Sequence, residues 1–240
     1  MSRVRKRSFY EQYIKRFLDI TCSLLFVICF FWLYGIIALL VRIKLGSPVI
    51  FKQPRPGKIK NGRETIFDMY KFRTMTDERD SNGDFMPDEQ RLTSFGKKLR
   101  STSLDELPEL INIIKGDMSL IGPRPQLVRD MVFMTKKQRL RHISKPGLSG
   151  LAQVSGRNAI SWEDKFNCDL KYVKNVNLFD DTRLVWLTIK KVFGKTESSN
   201  EIDITDDYGD SLLKKGKIDK AEYERLQRLA KRIISSHEKK

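Results

Sequence analysis

Hydrophobic residues are concentrated in one long run near the start of the chain. From Ile20 to Val41 the sequence has 22 residues without a formal charge. As a straight helix this run measures about 33 Å, at ~1.5 Å per residue, which is enough to cross a bilayer. The run is too long for a cleaved signal peptide, and no small-residue cleavage site follows before Arg42. We therefore expect a membrane helix over residues 17–43.

Basic residues flank this run on both sides. Positively charged flanks favour the cytoplasm, and one spanning helix cannot place both of its flanks there. A helix that enters the membrane, bends and returns to the same face could do so, and both re-entry and spanning remain open. Arg16 and Asp19 lie three residues apart at the entry, either as an ion pair or as solvated interfacial charges. The basic residues are Arg3, Arg5, Lys6, Arg7, Lys15 and Arg16 before the run, and Arg42, Lys44 and Lys52 after it.

The pattern after the membrane helix predicts a compact domain of mixed α/β class that is mainly helical. Short β-prone segments at 49–51 and 66–75 are separated by a Pro/Gly turn region at 54–57. The polar stretch 77–90 predicts an exposed loop. On a strand, Lys71 and Arg73 would share one face, because they lie two residues apart.

Three helices are predicted in this domain. Ser103 and Glu106 have the spacing of a capping box, before an apolar period that ends at Gly116. Ser161 caps a second helix, and a third covers 181–193. The segments 122–125 and 145–157 are rich in glycine and proline and predict loops.

The chain divides into a basic cytoplasmic N-terminus (1–16), the membrane helix (17–43), a compact cytoplasmic domain (44–194) and a charged C-terminal segment (195–240). The last segment combines a polar linker at 196–210 with an amphipathic helix at 217–234. Its positive and negative charges nearly cancel, so it is either an interaction helix or a solvated charged helix.

The composition is strongly basic. The chain has 46 Lys and Arg against 30 Asp and Glu, a net charge of +16. This surplus predicts an anionic partner: nucleic acid, anionic lipid or a phosphorylated small molecule. Cysteine and histidine predict neither a metal site nor a disulfide framework, because the few present lack the required spacing. They are Cys22, Cys29, Cys168, His142 and His237.

Four arginines lie in predicted loops or at the ends of predicted elements: Arg73, Arg100, Arg124 and Arg157. Guanidinium groups bind phosphate oxygens in a bidentate manner, so the convergence of several arginines would form a diphosphate site. Taken singly, each arginine is more often a solvated surface charge.

Asp105 and Glu106 are adjacent carboxylates in the first turn of a predicted helix. One interpretation is structural, with favourable helix-dipole contacts and a capping box. The other is chemical, since carboxylates hold Mg²⁺ and can attack phosphorus to form acyl phosphates. The positive end of the helix and the nearby arginines are expected to keep Asp105 ionised, as a nucleophile must be.

Six motifs occur in one order along the chain. They are KRFLD at 15–19, YKFRTM at 70–75, SLDELPEL at 103–110, KGDMSLIGPRP at 115–125, KPGLSGLAQVSGRN at 145–158 and SWEDKF at 161–166. Together they resemble the bacterial sugar transferases of the monotopic phosphoglycosyl transferase family, and the resemblance runs from about residue 15 to 194.

The resemblance implies a re-entrant membrane helix, amphipathic helices at the membrane surface, and an active site on the cytoplasmic face of the bacterial inner membrane. It also implies Mg²⁺ and transfer of a sugar 1-phosphate from a UDP-sugar to undecaprenyl (polyprenyl) phosphate, with release of UMP. Asp105 would be the nucleophile that carries the phosphosugar, and Glu106 the second member of the dyad; both would hold the metal. Candidate phosphate-binding residues are Arg100, Arg124, Arg157, Lys71 and Arg73, and candidate anchor residues are Arg16, Asp19, Phe31 and Trp32.

One feature departs from the family pattern. The membrane helix of the family usually has a Ser-Pro break near its middle, and the aligned positions here are Phe31 and Trp32. No proline occurs between Ile20 and Val41. A bend would then depend on Gly35 and interfacial residues, or the helix would span the bilayer.

The partners implied are a UDP-sugar with an N-acetylated sugar, polyprenyl phosphate and inner-membrane phospholipid, and a homodimer is left open. Nucleic acid is not expected, because the chain has no aromatic-basic recognition motif. The rival hypothesis is a non-catalytic, membrane-anchored basic module that binds anionic lipid or a partner protein. Such a module would have no need of an Asp-Glu dyad beside Gly-Pro-Arg-Pro.

Overall fold

The computed structural model describes residues 8–83, 85–156, 160–193 and 206–239. Within these ranges the chain is mixed α/β and mainly helical, as predicted. The strands are β1 (Ile50–Lys60), β2 (Arg63–Phe72), β3 (Ser119–Ile121) and β4 (Gly147–Ser149). The helices are α1 (Lys15–Cys29), α2 (Phe31–Leu45), α3 (Asp88–Arg91), α4 (Ser94–Ser101), α5 (Glu109–Lys115), α6 (Val128–Met131), α7 (Lys136–Arg139), α8 (Leu151–Ser155), α9 (Trp162–Lys174), α10 (Leu178–Phe193), α11 (Tyr208–Lys214) and α12 (Lys220–Glu238), with a π-helical turn at Tyr10–Ile14 and 3₁₀ turns at Leu104–Glu106 and Leu140–Ile143.

The apolar run forms two helices joined at Phe30. This residue leaves the helical region, with φ −114° and ψ 20°, although its N–H still donates to the carbonyl of Phe26. None of the helices in the described ranges is by itself long and apolar enough to cross a membrane. The segments Tyr10–Cys29 and Phe31–Leu45 reach that length and hydropathy only together, and they are bent by 67°.

The bend lies one residue before the predicted break and needs no proline. The expectation that Gly35 supplies the bend is wrong, because Gly35 lies inside the regular helix α2. Phe31 and Trp32 follow the bend directly and are 70% and 52% exposed. The direction of α2 is fixed by packing, since its buried face is in contact with the domain through Ile37 and Val41.

Arg16 and Asp19 connect α1 to the domain. Arg16 donates to the carbonyls of Ile113 (2.6 Å) and Ile114 (2.8 Å), at the carboxyl end of α5. Asp19 is buried and accepts hydrogen bonds from Ser119 Oγ and Leu120 N–H. Both predicted alternatives, a mutual ion pair and solvated charges, are therefore wrong. Each side chain is instead hydrogen-bonded to polar groups of the domain.

Strands β1 and β2 form an antiparallel hairpin that turns at Asn61 and Gly62, both with positive φ. Asn-Gly is the preferred sequence for a two-residue hairpin turn. The predicted turn at 54–57 is wrong, because Pro54 and Pro56 lie within β1. Proline is tolerated there because the sheet has two strands, so β1 has an edge without a hydrogen-bonded neighbour. The stretch 77–90 is largely exposed in its described part, as predicted.

The segment 145–157 contains a strand and a helix where loops were predicted. β4 pairs in parallel with β3, and α8 follows it. Gly147 and Gly150 allow this segment to lie close to the backbone of Gly122, because a Cβ at either position would lie 2.1 Å from a backbone atom of Gly122. The helix capped by Ser161 is confirmed, because Ser161 Oγ accepts from the N–H of Asp164.

The charged C-terminal segment packs on the domain in its described part. Tyr208 and Leu212 of α11 join the aromatic cluster of Trp162, Phe166 and Phe133. On α12, Ala230 is buried against α6. The interpretation as a solvated helix is therefore wrong for 206–239. The predicted linker at 196–210 lies mostly outside the described residues.

Candidate active site

The Asp105–Glu106 dyad lies on a 3₁₀ turn that precedes α5. The predicted capping box is absent, because Ser103 is in the left-handed region (φ 55°) and its side chain caps no helix. Pro108 has no N–H, so regular helical bonding begins only with α5 at Glu109. The turn is held by Tyr34 of α2, whose hydroxyl donates to the carbonyl of Leu107 at 2.8 Å. The dyad is thereby fixed next to helix α2.

Glu106 is the centre of a charge cluster. Its Oε1 accepts from Lys71 Nζ at 2.8 Å and from Arg124 Nη2 at 2.9 Å. Lys71 also lies 3.2 Å from Oε1 of Glu109, which is buried. Sequence reasoning had not assigned Glu109 a role, although its spacing of three residues from Glu106 is the helical signal that could have found it.

Asp105 differs from Glu106 in its surroundings. It is 7% exposed, and in the part of the chain that the structure describes its carboxylate accepts no hydrogen bond. Burial raises the pKa of Asp105 above its ordinary value; Lys71, Arg100 and Arg124 oppose this rise, and Glu106 adds to it. The cations thus favour ionised Asp105, as expected, but they do not fully offset burial.

Glu106 has the opposite balance. Burial alone would raise its pKa, but Arg124 and Lys71 outweigh burial and hold the pKa of Glu106 well below its usual range. Glu109, buried beside Lys71 and Glu106, has a raised pKa. Glu106 is therefore firmly ionised, whereas its neighbour Glu109 readily accepts a proton.

The other predicted phosphate-binding residues have different positions. Arg100 Nε donates to Thr74 Oγ1 at 3.0 Å, and its side chain is close enough to influence Asp105. Arg73 instead bonds the carbonyls of Ser47 and Met75 and pairs with Asp77, so its guanidinium is used within the fold. Arg157 lies outside the described residues.

A buried ion pair holds the backbone of Arg124 in place. Arg141 Nη2 donates to the carbonyl of Arg124 at 2.6 Å, while its Nε and Nη2 bind Asp169 Oδ2 at 2.9 and 2.6 Å. The side chains of Arg141 and Asp169 are only 1% and 2% exposed. Arg55, which is half-buried, donates to the carbonyl of Pro125 at 3.1 Å. None of these supports was predicted, since burial of a charge depends on residues distant in sequence.

The donor set of the dyad fits Mg²⁺. No group of three or more His, Cys, Asp or Glu residues that could hold a metal occurs in the described ranges. Mg²⁺ sites that act on phosphates use one or two carboxylates, with substrate phosphates and water as the remaining ligands. Asp105 and Glu106 supply this number, and Glu106 has a second oxygen to which no described residue donates.

Comparisons with known proteins show the family of the chain. A family model described as bacterial sugar transferase matches residues 10–195. The sugar transferase EpsL of Bacillus subtilis is 50% identical over 179 residues, covering 75% of this chain and 87% of that protein. The UDP-N-acetylgalactosamine-undecaprenyl-phosphate N-acetylgalactosaminephosphotransferase of Aeromonas hydrophila is 38% identical over 192 residues, or 75% of this chain and 44% of that protein. The undecaprenyl-phosphate galactose phosphotransferase of Salmonella typhimurium is 35% identical over 205 residues, or 78% of this chain and 41% of that protein. The chain thus spans less than half the length of the latter two relatives.

Proposed function

Because the chain belongs to the bacterial sugar transferase family, we propose that it transfers a sugar 1-phosphate from a UDP-sugar to undecaprenyl phosphate, through a phosphosugar intermediate on Asp105. The observation that carries this proposal is the contrast within the dyad. Glu106 is held by two cations, whereas the carboxylate of its neighbour Asp105 accepts no hydrogen bond from any described residue. A carboxylate without donors retains the lone pairs that a nucleophile uses.

In the first step, an oxygen of Asp105 attacks the β-phosphorus of the UDP-sugar. A bond forms between this oxygen and phosphorus, and the bond from phosphorus to the bridging oxygen breaks. UMP leaves with that oxygen, and the sugar phosphate remains on Asp105 as an acyl phosphate. In the second step, a phosphate oxygen of the lipid attacks the same phosphorus and the bond to Asp105 breaks, which regenerates the carboxylate.

The cations of the site stabilise the negative charge that shifts between oxygens during these steps. Lys71 and Arg124 are already fixed by Glu106, so they need little reorganisation when phosphate binds. Arg100 is exposed beside Asp105 and can bind a phosphate of either substrate. Mg²⁺, held by Asp105 and Glu106 with substrate phosphate, would supply further charge neutralisation.

The lipid substrate requires an active site at a membrane surface. The bent pair α1 and α2 supports a re-entrant anchor, since basic residues lie at both of its ends and exposed Phe31 and Trp32 lie at its bend. Tyr34 then connects the membrane helix directly to the dyad turn. We propose that the domain lies on the cytoplasmic face of the inner membrane, where basic flanks are favoured.

The sugar is left to experiment, because the names of two relatives specify N-acetylgalactosamine and galactose. The full chain in nanodiscs should be given undecaprenyl phosphate, Mg²⁺ and a panel of UDP-sugars while UMP release is followed. One sugar should give UMP with the wild type. Asp105→Asn should reduce the rate by several orders of magnitude, and Asp164→Asn, an exposed carboxylate on α9, should leave it unchanged.

Intact-protein mass spectrometry tests the covalent step separately. With the active UDP-sugar and no lipid acceptor, the wild type should gain the mass of one sugar phosphate, and Asp105→Asn should gain none. UMP release by Asp105→Asn at the wild-type rate would contradict the assignment of the nucleophile. UMP release without any adduct, even on rapid quenching, would favour direct transfer. If no sugar in the panel reacted while the folded protein still bound the bilayer, the non-catalytic module would become the better hypothesis.

A further inference from the structure

A second group of cations surrounds a cavity at the opposite end of α5 from the dyad. Glu109, at the start of α5, belongs to the active-site cluster, whereas Lys115 ends the helix beside Gly116. The cavity has a volume of about 270 Å³, several times that of a water molecule (~30 Å³). Its charged lining consists of Arg16, Lys58, Lys60, Lys115, Lys145 and Asp117.

Two of these cations converge on one point. Gly116 has a positive φ of 97°, as a left-handed residue that ends a helix. A Cβ at this position would lie 3.2 Å from Nη2 of Arg16 and 3.5 Å from Nζ of Lys145. Arg16 cannot easily move away, because it is bonded to two carbonyls at the end of α5. Two positive charges are therefore held close together beside this glycine.

Acidic groups in the lining do not balance these charges. Lys115 lies 3.8 Å from Asp117 and donates to the Tyr70 hydroxyl. Lys145 has no hydrogen-bond or ion-pair partner in the described part of the chain, although Asp19 and Asp117 attract it from a distance. Five cations and one carboxylate line the cavity. Such a concentration of charge of one sign favours a bound anion.

We propose that this cavity binds a phosphate group. Guanidinium and ammonium groups that meet in a small cavity match the several oxygens of a phosphate. Arg16 lies four residues before the uncharged run that begins at Ile20, so the cavity opens where the chain enters its apolar helix. The phosphate can therefore come from the head group of an anionic phospholipid or from a soluble phosphate. This binding is independent of the proposed reaction, since no residue of the cavity belongs to the dyad cluster.

The test measures binding and needs no sugar donor. The full chain in phosphatidylcholine nanodiscs is titrated with short-chain phosphatidylglycerol or with inorganic phosphate at constant ionic strength, and the rise in Tm gives an apparent Kd. The variants are Lys60→Gln and the double variant Lys60→Gln with Lys145→Gln. Lys231→Gln, an exposed lysine on α12, is the matched control. We expect affinity to fall roughly fivefold for each lysine removed from the cavity, and the control to bind as the wild type does.

The two probes distinguish the sources. A Tm rise with phosphatidylglycerol alone identifies the lipid head group; a rise with inorganic phosphate, alone or as well, identifies the phosphate itself. The proposal is overturned if neither probe stabilises the wild type. It is equally overturned if both cavity variants bind as tightly as the control, because the anion would then lie elsewhere. Should the double variant fail to fold, Lys60→Gln decides, since Lys60 is exposed.

Discussion

The ion pair of Arg141 and Asp169 is almost completely buried, so removing only one of its members should be costly. Asp169→Leu would leave the guanidinium of Arg141 buried without its carboxylate, and Nη1 of Arg141 already has no hydrogen-bond partner among the described residues. Breaking a buried pair in this way typically costs about 3–5 kcal/mol. For a domain of this size the loss corresponds to a fall in Tm of roughly 6–20 °C.

The double variant separates stability from function. Replacing both charges, as Arg141→Met with Asp169→Leu, leaves no uncompensated charge and should restore most of the lost stability. The carbonyl of Arg124 nevertheless loses its donor at 2.6 Å. Because a hydrogen bond from a charged group is worth ~1.5–3 kcal/mol, misplacement of Arg124 should slow UMP release roughly tenfold or more. We therefore expect a variant that is stable but slow.

Thermal unfolding of the full chain in detergent, with UMP release measured on the same preparations, tests this reasoning. Asp164→Leu is the control, because Asp164 lies on the same helix as Asp169 but is exposed. A double variant as unstable as Asp169→Leu would show that the pair is not the source of the loss. A stable double variant with the wild-type rate would show that Arg141 does not position Arg124.

Three further predictions concern stability, measured as Tm. Ala230→Leu should cost about 1–3 kcal/mol by overpacking, because Ala230 of α12 is buried against α6. Lys231→Leu, at the exposed neighbouring position, should cost little, and equal values would mean that α12 does not pack as described. Burial raises the pKa of Asp130 to about 6, above its ordinary value of ~3.9. The folded protein therefore binds a proton more tightly at Asp130 than the unfolded chain does. The free energy of unfolding should fall by about 3 kcal/mol as pH rises from about 4 through 6. Asp130→Asn should flatten this part of the pH profile, and an unchanged slope would contradict the assignment. Gly150→Ala should cost about 3 kcal/mol, because its Cβ would lie 2.1 Å from the carbonyl oxygen of Gly122; an unchanged Tm would argue against the close approach.

Features with a local cause could be predicted from the sequence. The helix that follows Ser161 has its cap and its apolar period within a few residues, so nothing distant decides it. The end of α5 at Gly116 is equally local. The hairpin turn also has a local signal in Asn61-Gly62, but the Pro/Gly cluster at 54–57 predicts a turn a few residues too early. That cluster forms strand because an edge strand tolerates proline.

Features that depend on packing could not be predicted. The bend at Phe30 has no proline or glycine as its cause, and it follows from the contacts of α2 with the domain. The partners of Asp19 lie about 100 residues away, so no spacing in the sequence reveals them. The dyad itself was found through its motif, but the capping box expected around it was wrong because Ser103 adopts a left-handed conformation.

The fate of the arginines shows why net charge alone does not locate a phosphate site. Arg16 and Arg73 donate mainly to backbone carbonyls, and Arg141 binds a carbonyl and a buried carboxylate, so all three are used to hold the fold together. Arg124 was grouped with Arg73 as an arginine of a predicted loop or element end, yet its guanidinium faces Glu106 beside the nucleophile proposed at Asp105. What distinguishes Arg124 is its partner, a carboxylate of the candidate dyad that Lys71 also pairs with. A carboxylate paired with two cations can share them with an incoming phosphate. Arg16 lies between the two groups, because its hydrogen bonds to the carbonyls of Ile113 and Ile114 leave it other N–H donors for the cavity at the end of α5.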